Sequence, residues 1–161
     1  MTKKITKTNA VRLLSQAKIA YRLLSYEVDE NNLAATHVAE QLNENIAQVF
    51  KTLVLKGDKT GNIVCVIPGD QELDLKLAAK VSVNKSVNMI PMKELLSTTG
   101  YIRGACSPIG MKRTLPTYIH SSALEFDAIY VSAGVRGVQI EINPRELIDF
   151  VKANIVDIIE K

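Results

Sequence analysis

The segment "VFKTLVLKGDKTGNIVCVIPG", residues 49–69, predicts the centre of the fold. Two runs rich in β-branched residues flank "DKT", and glycines bound them, which is typical of a β-hairpin. Because side chains alternate along a strand, Lys51 shares an apolar face with Leu53 and Leu55. Spacing alone favours a lysine at a sheet edge that extends its stem to reach water. The alternative is a cavity cation, since a buried ammonium group needs an anion or loses its proton.

Helical and strand patterns alternate around this hairpin. Thr8, Thr36 and Asp74 are candidate helix N-caps, and Pro144 marks the first turn of another helix. The predicted helices cover residues 8–17, 37–42, 72–81, 92–99 and 145–151. Further strands are predicted at residues 20–28, 117–120, 128–134 and 136–142, and residues 154–159 form a strand or a helix. Hairpin-type connections separate several strands, so we expect one α+β domain with a mixed sheet rather than a doubly wound parallel sheet.

Composition narrows the class of protein. The 161 residues are 47% hydrophobic and 23% charged, which suits one globular domain with a core. The net charge of +3 permits a nucleic-acid partner without indicating one. Neither a membrane-spanning apolar run nor a secretory signal is visible. Cys65 and Cys106 lack metal-ligand spacing, so we expect no metal site and no disulfide, and the default compartment is the cytosol.

Familiar catalytic motifs are absent from the sequence. It contains neither a dinucleotide-binding nor a P-loop glycine motif, and no G-x-S-x-G. No nucleophile motif accompanies His37 or His120. Cys106 is a candidate nucleophile, but no partner base is evident. A protein nucleophile activated by a triad is therefore not expected.

Two further segments could line a cavity. In "TGYIRGACSPIG", residues 99–110, Gly104 and Pro108 bracket a tight loop whose N–H groups could approach a carbonyl oxygen or an anion. In "YVSAGVRGVQIEI", residues 130–142, Ser132 stands beside a turn of small residues. That turn is either an ordinary hairpin or the rim of a pocket.

These segments together resemble one known family. The stretches "VFKTLVL", "STTGYIRGACSPIGMKR" and "ALEFDAIYVSAGVRGVQIEINPREL", in this order, are similar to the YbaK/EbsC family of Cys-tRNA(Pro) deacylases. The likeness extends over nearly the whole chain, and related domains are inserted in many bacterial prolyl-tRNA synthetases. It implies a single domain over residues 1–161, with a mixed, largely antiparallel, barrel-like sheet surrounded by helices.

The resemblance also implies an activity. Cysteine is about the size of proline, and a pocket that discriminates by one small group gains only about 1–3 kcal/mol, so a second, hydrolytic site is needed. Family members hydrolyse Cys-tRNA(Pro) in trans, in the cytoplasm. The substrate's own thiolate attacks its ester carbonyl and releases a cyclic thiolactone, without a metal or cofactor. The implied partners are tRNA(Pro) and prolyl-tRNA synthetase, with neither membrane nor DNA.

The family's functional residues fall on identifiable positions. The essential lysine matches Lys51, which would hold the terminal nucleotide through a phosphate, the ribose or a carbonyl. Thr52 lies on the opposite strand face by simple alternation, so a bulge or twist would be needed for it to share a site with Lys51. The positions implied to line or contact the substrate pocket are Tyr26, Thr52, Ser132 and the loop from Gly104 through Ala105 to Pro108.

The sequence departs from the family pattern in two places. Ala105 replaces a second glycine, and the loop segment "NNLAAT" lacks the aromatic residue that members often carry. Two alternatives therefore stay open beside a Cys-tRNA(Pro) deacylase. One is a deacylase for another small amino acid, for example acting on Ala-tRNA(Pro), and the other is a non-catalytic module that binds tRNA or a synthetase.

Overall fold

The computed structural model describes residues 8–161, and helices and strands interleave along them. The helices are α1 (Asn9–Gln16), α2 (Ala35–Leu42), α3 (Leu75–Val81), α4 (Met92–Thr99) and α5 (Pro144–Val151). The strands are β1 (Tyr21–Ser25), β2 (Phe50–Gly57), β3 (Gly61–Pro68), β4 (Val87–Met89), β5 (Thr117–His120), β6 (Ile129–Ser132), β7 (Val138–Ile142) and β8 (Asn154–Val156). Short 3-10 helices occupy Ile46–Gln48 and Ser121–Glu125.

The strands form two sheets. The five-stranded sheet has the order β4-β2-β3-β5-β8 and is mixed, because β5 runs parallel to both β3 and β8 while β2 is antiparallel to its neighbours. The three-stranded sheet, β1-β7-β6, is antiparallel throughout. The predicted hairpin is confirmed, with Phe50 opposite Pro68 and Gly57 opposite Gly61. The predicted α+β class with a mixed sheet is confirmed as well.

The expectation of a barrel-like sheet is wrong. Within residues 8–161 the two sheets meet at one parallel bridge, between Val49 and Tyr130, and are not closed into a barrel. On this edge of β2, pairing with β4 begins only at Leu55. Among the described residues, the edge between Val49 and Leu55 therefore faces a gap rather than a neighbouring strand, and this gap positions the site described below.

Side chains and glycine set most helix ends where the sequence indicates. The Thr8 hydroxyl accepts a hydrogen bond from the N–H of Val11, and the Asp74 carboxylate accepts from the first turn of α3. Gly100 ends α4 in the left-handed conformation. The prediction that Thr36 caps α2 is wrong, because α2 begins at Ala35, two residues before the predicted start, and Thr36 lies inside its first turn.

The five-stranded sheet is covered on both faces. Val64 and Val66 of β3 point into a core shared with α1, β6 and β7, whereas Ile63 and Ile67 point into a second core shared with α3 and the C-terminal segment. Burial on both faces explains the unbroken apolar run of β3. None of the helices in the described part of the chain is long and apolar enough to cross a membrane.

Candidate functional site

A cavity of about 700 Å³ opens beside the unpaired edge of β2. Its walls come from the start of α2, the first half of β2, the start of α4, the glycine loop and the β6–β7 pair. Lys51, Thr52, Gly104 and Ser132 all line it, so the structure brings together four of the residues singled out in the sequence.

The open edge explains how Lys51 and Thr52 reach one cavity from opposite faces of β2. The carbonyl oxygen of Val54 accepts a hydrogen bond from Ile90 N at 3.0 Å, so the backbone groups of Val54 point towards β4. Alternate residues of a strand direct their backbone groups to the same side, so those of Thr52 point into the gap. Because the cavity follows this edge, it is lined from both faces, and the strand needs no bulge.

Lys51 is one of the residues that line the cavity. The residue is half-buried, and within residues 8–161 no carboxylate oxygen lies within 4.0 Å of its Nζ. Lys56, on the same strand, is paired instead with Glu94 at 3.1 Å. Lys51 also lines a second cavity of about 670 Å³, whose lining includes the acidic residues Glu72, Asp74 and Glu160. It therefore stands where the two cavities adjoin.

The first cavity is positively charged. Its lining includes the cations Lys51 and Arg103, and among the described residues it includes no aspartate or glutamate. A partly enclosed site lined by one sign of charge concentrates the field of that sign. The cavity therefore favours anions, such as a phosphate, a thiolate or the oxyanion of an ester under attack.

The glycine loop reaches the cavity through Arg103, Gly104 and Cys106. Gly104 has φ +84°, a conformation that side chains disfavour. A Cβ there would also lie 3.1 Å from Cδ1 of Leu33, so the loop approaches the segment before α2 closely. Leu33 comes from the segment "NNLAAT" and supplies an apolar wall where an aromatic residue was missing.

Ser132 holds the glycine loop in position through a hydrogen bond. Its hydroxyl donates to the carbonyl oxygen of Ala105 at 2.9 Å and accepts from the N–H of Gly134 at 3.1 Å. Arg136 Nε donates to the carbonyl oxygen of Arg103 at 2.9 Å. The hydrogen bonds from Ser132 to Ala105 and from Arg136 to Arg103 join the β6–β7 pair and its turn to the loop. The Ser132 hydroxyl is thus committed to positioning the loop.

Three predicted substrate-contacting residues are not among those lining the cavity. Tyr26 follows β1, and its N–H donates to the carbonyl oxygen of Gly137 at 2.9 Å. Ala105 and Pro108 are buried beneath the loop surface. In this arrangement Ala105 acts through its carbonyl oxygen, which Ser132 holds.

Cys106 lines the cavity as a neutral thiol. Burial raises the pKa of the Cys106 thiol to about 12, although a hydrogen bond with Thr99 works in the opposite direction. The thiolate is the nucleophilic form of cysteine. At neutral pH Cys106 is therefore a polarisable wall rather than a nucleophile.

Two buried oxygens in the cavity walls lack a hydrogen-bond partner within the described residues: Thr52 Oγ1 and Gln139 Oε1. An unsatisfied buried polar group costs about 1–3 kcal/mol. Gln139 lies directly opposite Ser132 in the β6–β7 ladder, so the two side chains share a face. Gln139 was not predicted from the sequence. Its position gives a signal, because Gln139 lies two residues after Gly137 just as Ser132 lies two residues before Gly134.

Residues 29–150 match the family model of the aminoacyl-tRNA editing domain. The chain belongs to the aminoacyl-tRNA editing family. The matched range includes every residue that lines the first cavity. The resemblance seen in the sequence is confirmed, and the cavity lies wholly within the editing domain.

Similarity to individual relatives extends beyond the editing domain. An Enterococcus faecalis protein, provisionally named the Cys-tRNA(Pro)/Cys-tRNA(Cys) deacylase EbsC, is 49% identical over 163 aligned positions, covering 100% of this chain and 99% of that protein. The proline–tRNA ligase of Thermosipho africanus is 34% identical over 73 residues, which are 45% of this chain and 13% of the ligase.

Solved structures show the same fold. One, described provisionally as a trans-editing enzyme for prolyl-tRNA synthetase, superimposes with a TM-score of 0.82 at 20% identity, covering 98% of this chain and 100% of that one. A hypothetical protein superimposes with a TM-score of 0.86 at 22% identity, covering 95% and 100%. The chain therefore shares the overall α+β fold of these solved structures.

Proposed function

We propose that this protein is an aminoacyl-tRNA deacylase that hydrolyses Cys-tRNA(Pro) in trans. Membership of the editing family and the full-length similarity to the Enterococcus faecalis protein support deacylation of aminoacyl-tRNA. The observation that carries the proposal is the charge of the cavity, which has two cations and, among the described residues, no carboxylate in its lining. Cys106, which lines the cavity, is a neutral thiol, so the attacking group comes from the substrate.

In the proposed reaction the cysteinyl side chain attacks its own ester. The thiolate forms a bond to the carbonyl carbon, the bond to the ribose oxygen breaks, and that oxygen leaves as a hydroxyl after gaining a proton. The product is a cyclic thiolactone, which water then opens to free cysteine. The cavity favours the thiolate and the developing oxyanion electrostatically, and it holds sulfur and carbonyl in attacking geometry.

Lys51 contributes the positive charge of its side chain to this reaction. The Lys51 ammonium, which has no ion-pair partner among the described residues, supplies positive charge to the ester oxygen or the adjoining ribose and phosphate. Proline and alanine have no thiol, so self-attack discriminates against them chemically as well as by fit.

Deacylation assays test the proposal directly. Purified protein is incubated with tRNA(Pro) carrying labelled cysteine, 2-aminobutyrate, alanine or proline. Because 2-aminobutyrate replaces the thiol with a methyl group, we expect rapid loss of cysteine only. Comparable hydrolysis of alanine and cysteine would instead favour a water-dependent deacylase for small residues. Binding of all four without turnover above buffer would favour the non-catalytic module and contradict the proposal.

Recruitment to prolyl-tRNA synthetase is a separate part of the proposal. The name of the Enterococcus faecalis relative includes both Cys-tRNA(Pro) and Cys-tRNA(Cys). A synthetase bound to its own tRNA would supply the selection, and it would place the activity in the cytoplasm. We expect added prolyl-tRNA synthetase to raise the preference for Cys-tRNA(Pro) over Cys-tRNA(Cys). An unchanged preference would remove the synthetase from the proposal.

A further inference from the structure

The unpartnered amide of Gln139 is the strongest observation that the mechanism above leaves unused. Gln139 is 6% exposed, lines the cavity, and its Oε1 has no partner in the described part of the chain. It sits on β7, the central strand of its sheet, with Ser132 opposite on β6 and Leu24 opposite on β1. Pairing on both sides fixes its backbone firmly.

Its side chain can nevertheless turn its oxygen towards a donor. The terminal torsion of glutamine has a broad, roughly two-fold potential, so the amide can exchange the places of its oxygen and nitrogen. A buried acceptor without a partner gains a full hydrogen bond when a ligand brings a donor into the cavity. The site is thus built to receive a donor at Gln139.

The charge of the cavity identifies that donor. In the proposed reaction the acyl group contains one cation, its α-ammonium group. Lys51 and Arg103 repel that group, and the lining within residues 8–161 offers no carboxylate to hold it. A neutral amide oxygen binds an ammonium group while leaving the positive charge that favours the thiolate. A carboxylate in the same place would weaken that charge.

We propose that Gln139 Oε1 accepts a hydrogen bond from the α-amino group of the acyl moiety, and so orients the thiol towards the ester carbonyl. This inference rests on the proposed function and adds a substrate-binding residue to it.

A cycle of two substrates and two proteins tests this contact. The substrates are cysteinyl-tRNA(Pro) and 3-mercaptopropionyl-tRNA(Pro), which keeps the thiol but lacks the amino group. For the unchanged protein we expect kcat/KM to fall about tenfold to a hundredfold on loss of the amino group. Gln139→Leu should lower kcat/KM for the cysteinyl substrate similarly and reduce the ratio of the two kcat/KM values to the one set by the substrates' intrinsic reactivity. Intrinsic differences in thiol reactivity cancel in this comparison.

Asn62→Leu is the matched control. Asn62 Oδ1 is another buried amide oxygen without a partner in the described part of the chain, but Asn62 does not line the cavity. The variant Asn62→Leu should show the same ratio of kcat/KM values for the two substrates as the unchanged protein. Equal substrate ratios in the unchanged protein and Gln139→Leu would overturn the inference. Absence of cysteinyl-tRNA hydrolysis by the unchanged protein would instead overturn the proposed function.

Gln139→Glu keeps the test decisive should the leucine variant fail to fold. A carboxylate should bind the ammonium group more strongly, so the ratio of the two substrates should rise above that of the unchanged protein. It should also raise the pKa of the substrate thiol and move the pH–rate profile to higher pH. A ratio below that of the unchanged protein would overturn the inference.

Discussion

Lys51 and Lys56 place the same ammonium group in two different surroundings on β2. Lys56 is exposed and paired with Glu94 at 3.1 Å, whereas Lys51 is half-buried at the cavity without a carboxylate close by in residues 8–161. Lys51→Ala should therefore lower kcat/KM for Cys-tRNA(Pro) by about a hundredfold or more, because one donor to a developing oxyanion is worth that much. Single-turnover kinetics measure this loss.

Lys56→Ala is the control for the loss of a lysine from the same strand. It removes an exposed ion pair, which contributes about 0–1 kcal/mol to stability, and it should leave turnover unchanged. Both variants should unfold at nearly the same temperature as the unchanged protein. Normal turnover by Lys51→Ala would remove Lys51 from the site.

Cys106 allows a second test at the residue scale. Because burial raises the pKa of its thiol to about 12, Cys106 carries no thiolate near neutral pH. Cys106→Ala should retain activity within about threefold between roughly pH 7 and 9, since no covalent acyl-protein forms. The pH–rate profile should follow the substrate's thiol in both proteins. Trapping of a cysteinyl group on Cys106 would contradict this prediction.

Among structural elements, the glycine loop depends on a tether from outside itself. Ser132 bonds both the Ala105 carbonyl oxygen and the Gly134 N–H, and the first of these bonds spans 27 residues of sequence. Ser132→Ala would leave both groups unsatisfied, at a cost of about 1–3 kcal/mol. We expect the fold to persist, KM for Cys-tRNA(Pro) to rise, and the loop amides to exchange hydrogen faster.

Hydrogen exchange separates loop release from a general loss of stability. Faster exchange should be confined to the loop and the β6–β7 turn. Ser97→Ala removes an exposed hydroxyl that donates to the carbonyl oxygen of Glu94, and it should change neither exchange at the loop nor KM. Unaltered loop exchange in Ser132→Ala would show that other contacts hold the loop.

The accuracy of the sequence predictions follows the range of the interactions involved. The β2–β3 hairpin and the Asp74 cap depend on neighbours in sequence, and both are confirmed. β4 was missed because three residues are too few to show a period. Gln139 was missed because its importance arises from the cavity that distant elements enclose. The pattern of residues along the sequence therefore predicts the strands and helices around the site better than it predicts the cavity that they enclose.

At the scale of the whole molecule, the open edge of β2 and strand β8 of the C-terminal segment lie towards opposite edges of the five-stranded sheet. The family match ends at residue 150, yet β8 pairs with β5 and Ile158 is fully buried in the second core. The carbonyl oxygen of Ile158 also accepts from Asp74 N at 2.7 Å. The C-terminal segment thus supports the sheet that carries Lys51, outside the matched range.

Ile158→Ala should consequently destabilise the whole domain. Removing a fully buried isoleucine side chain leaves a cavity and lowers the free energy of unfolding by about 2–5 kcal/mol. Ile155, three residues earlier and 48% exposed, provides the control, because Ile155→Ala removes little buried surface. Urea unfolding of both variants measures the difference. Equal, small losses would mean that the C-terminal segment packs loosely, whereas a large loss confined to Ile158→Ala would establish that the core beneath Lys51 extends beyond the editing domain.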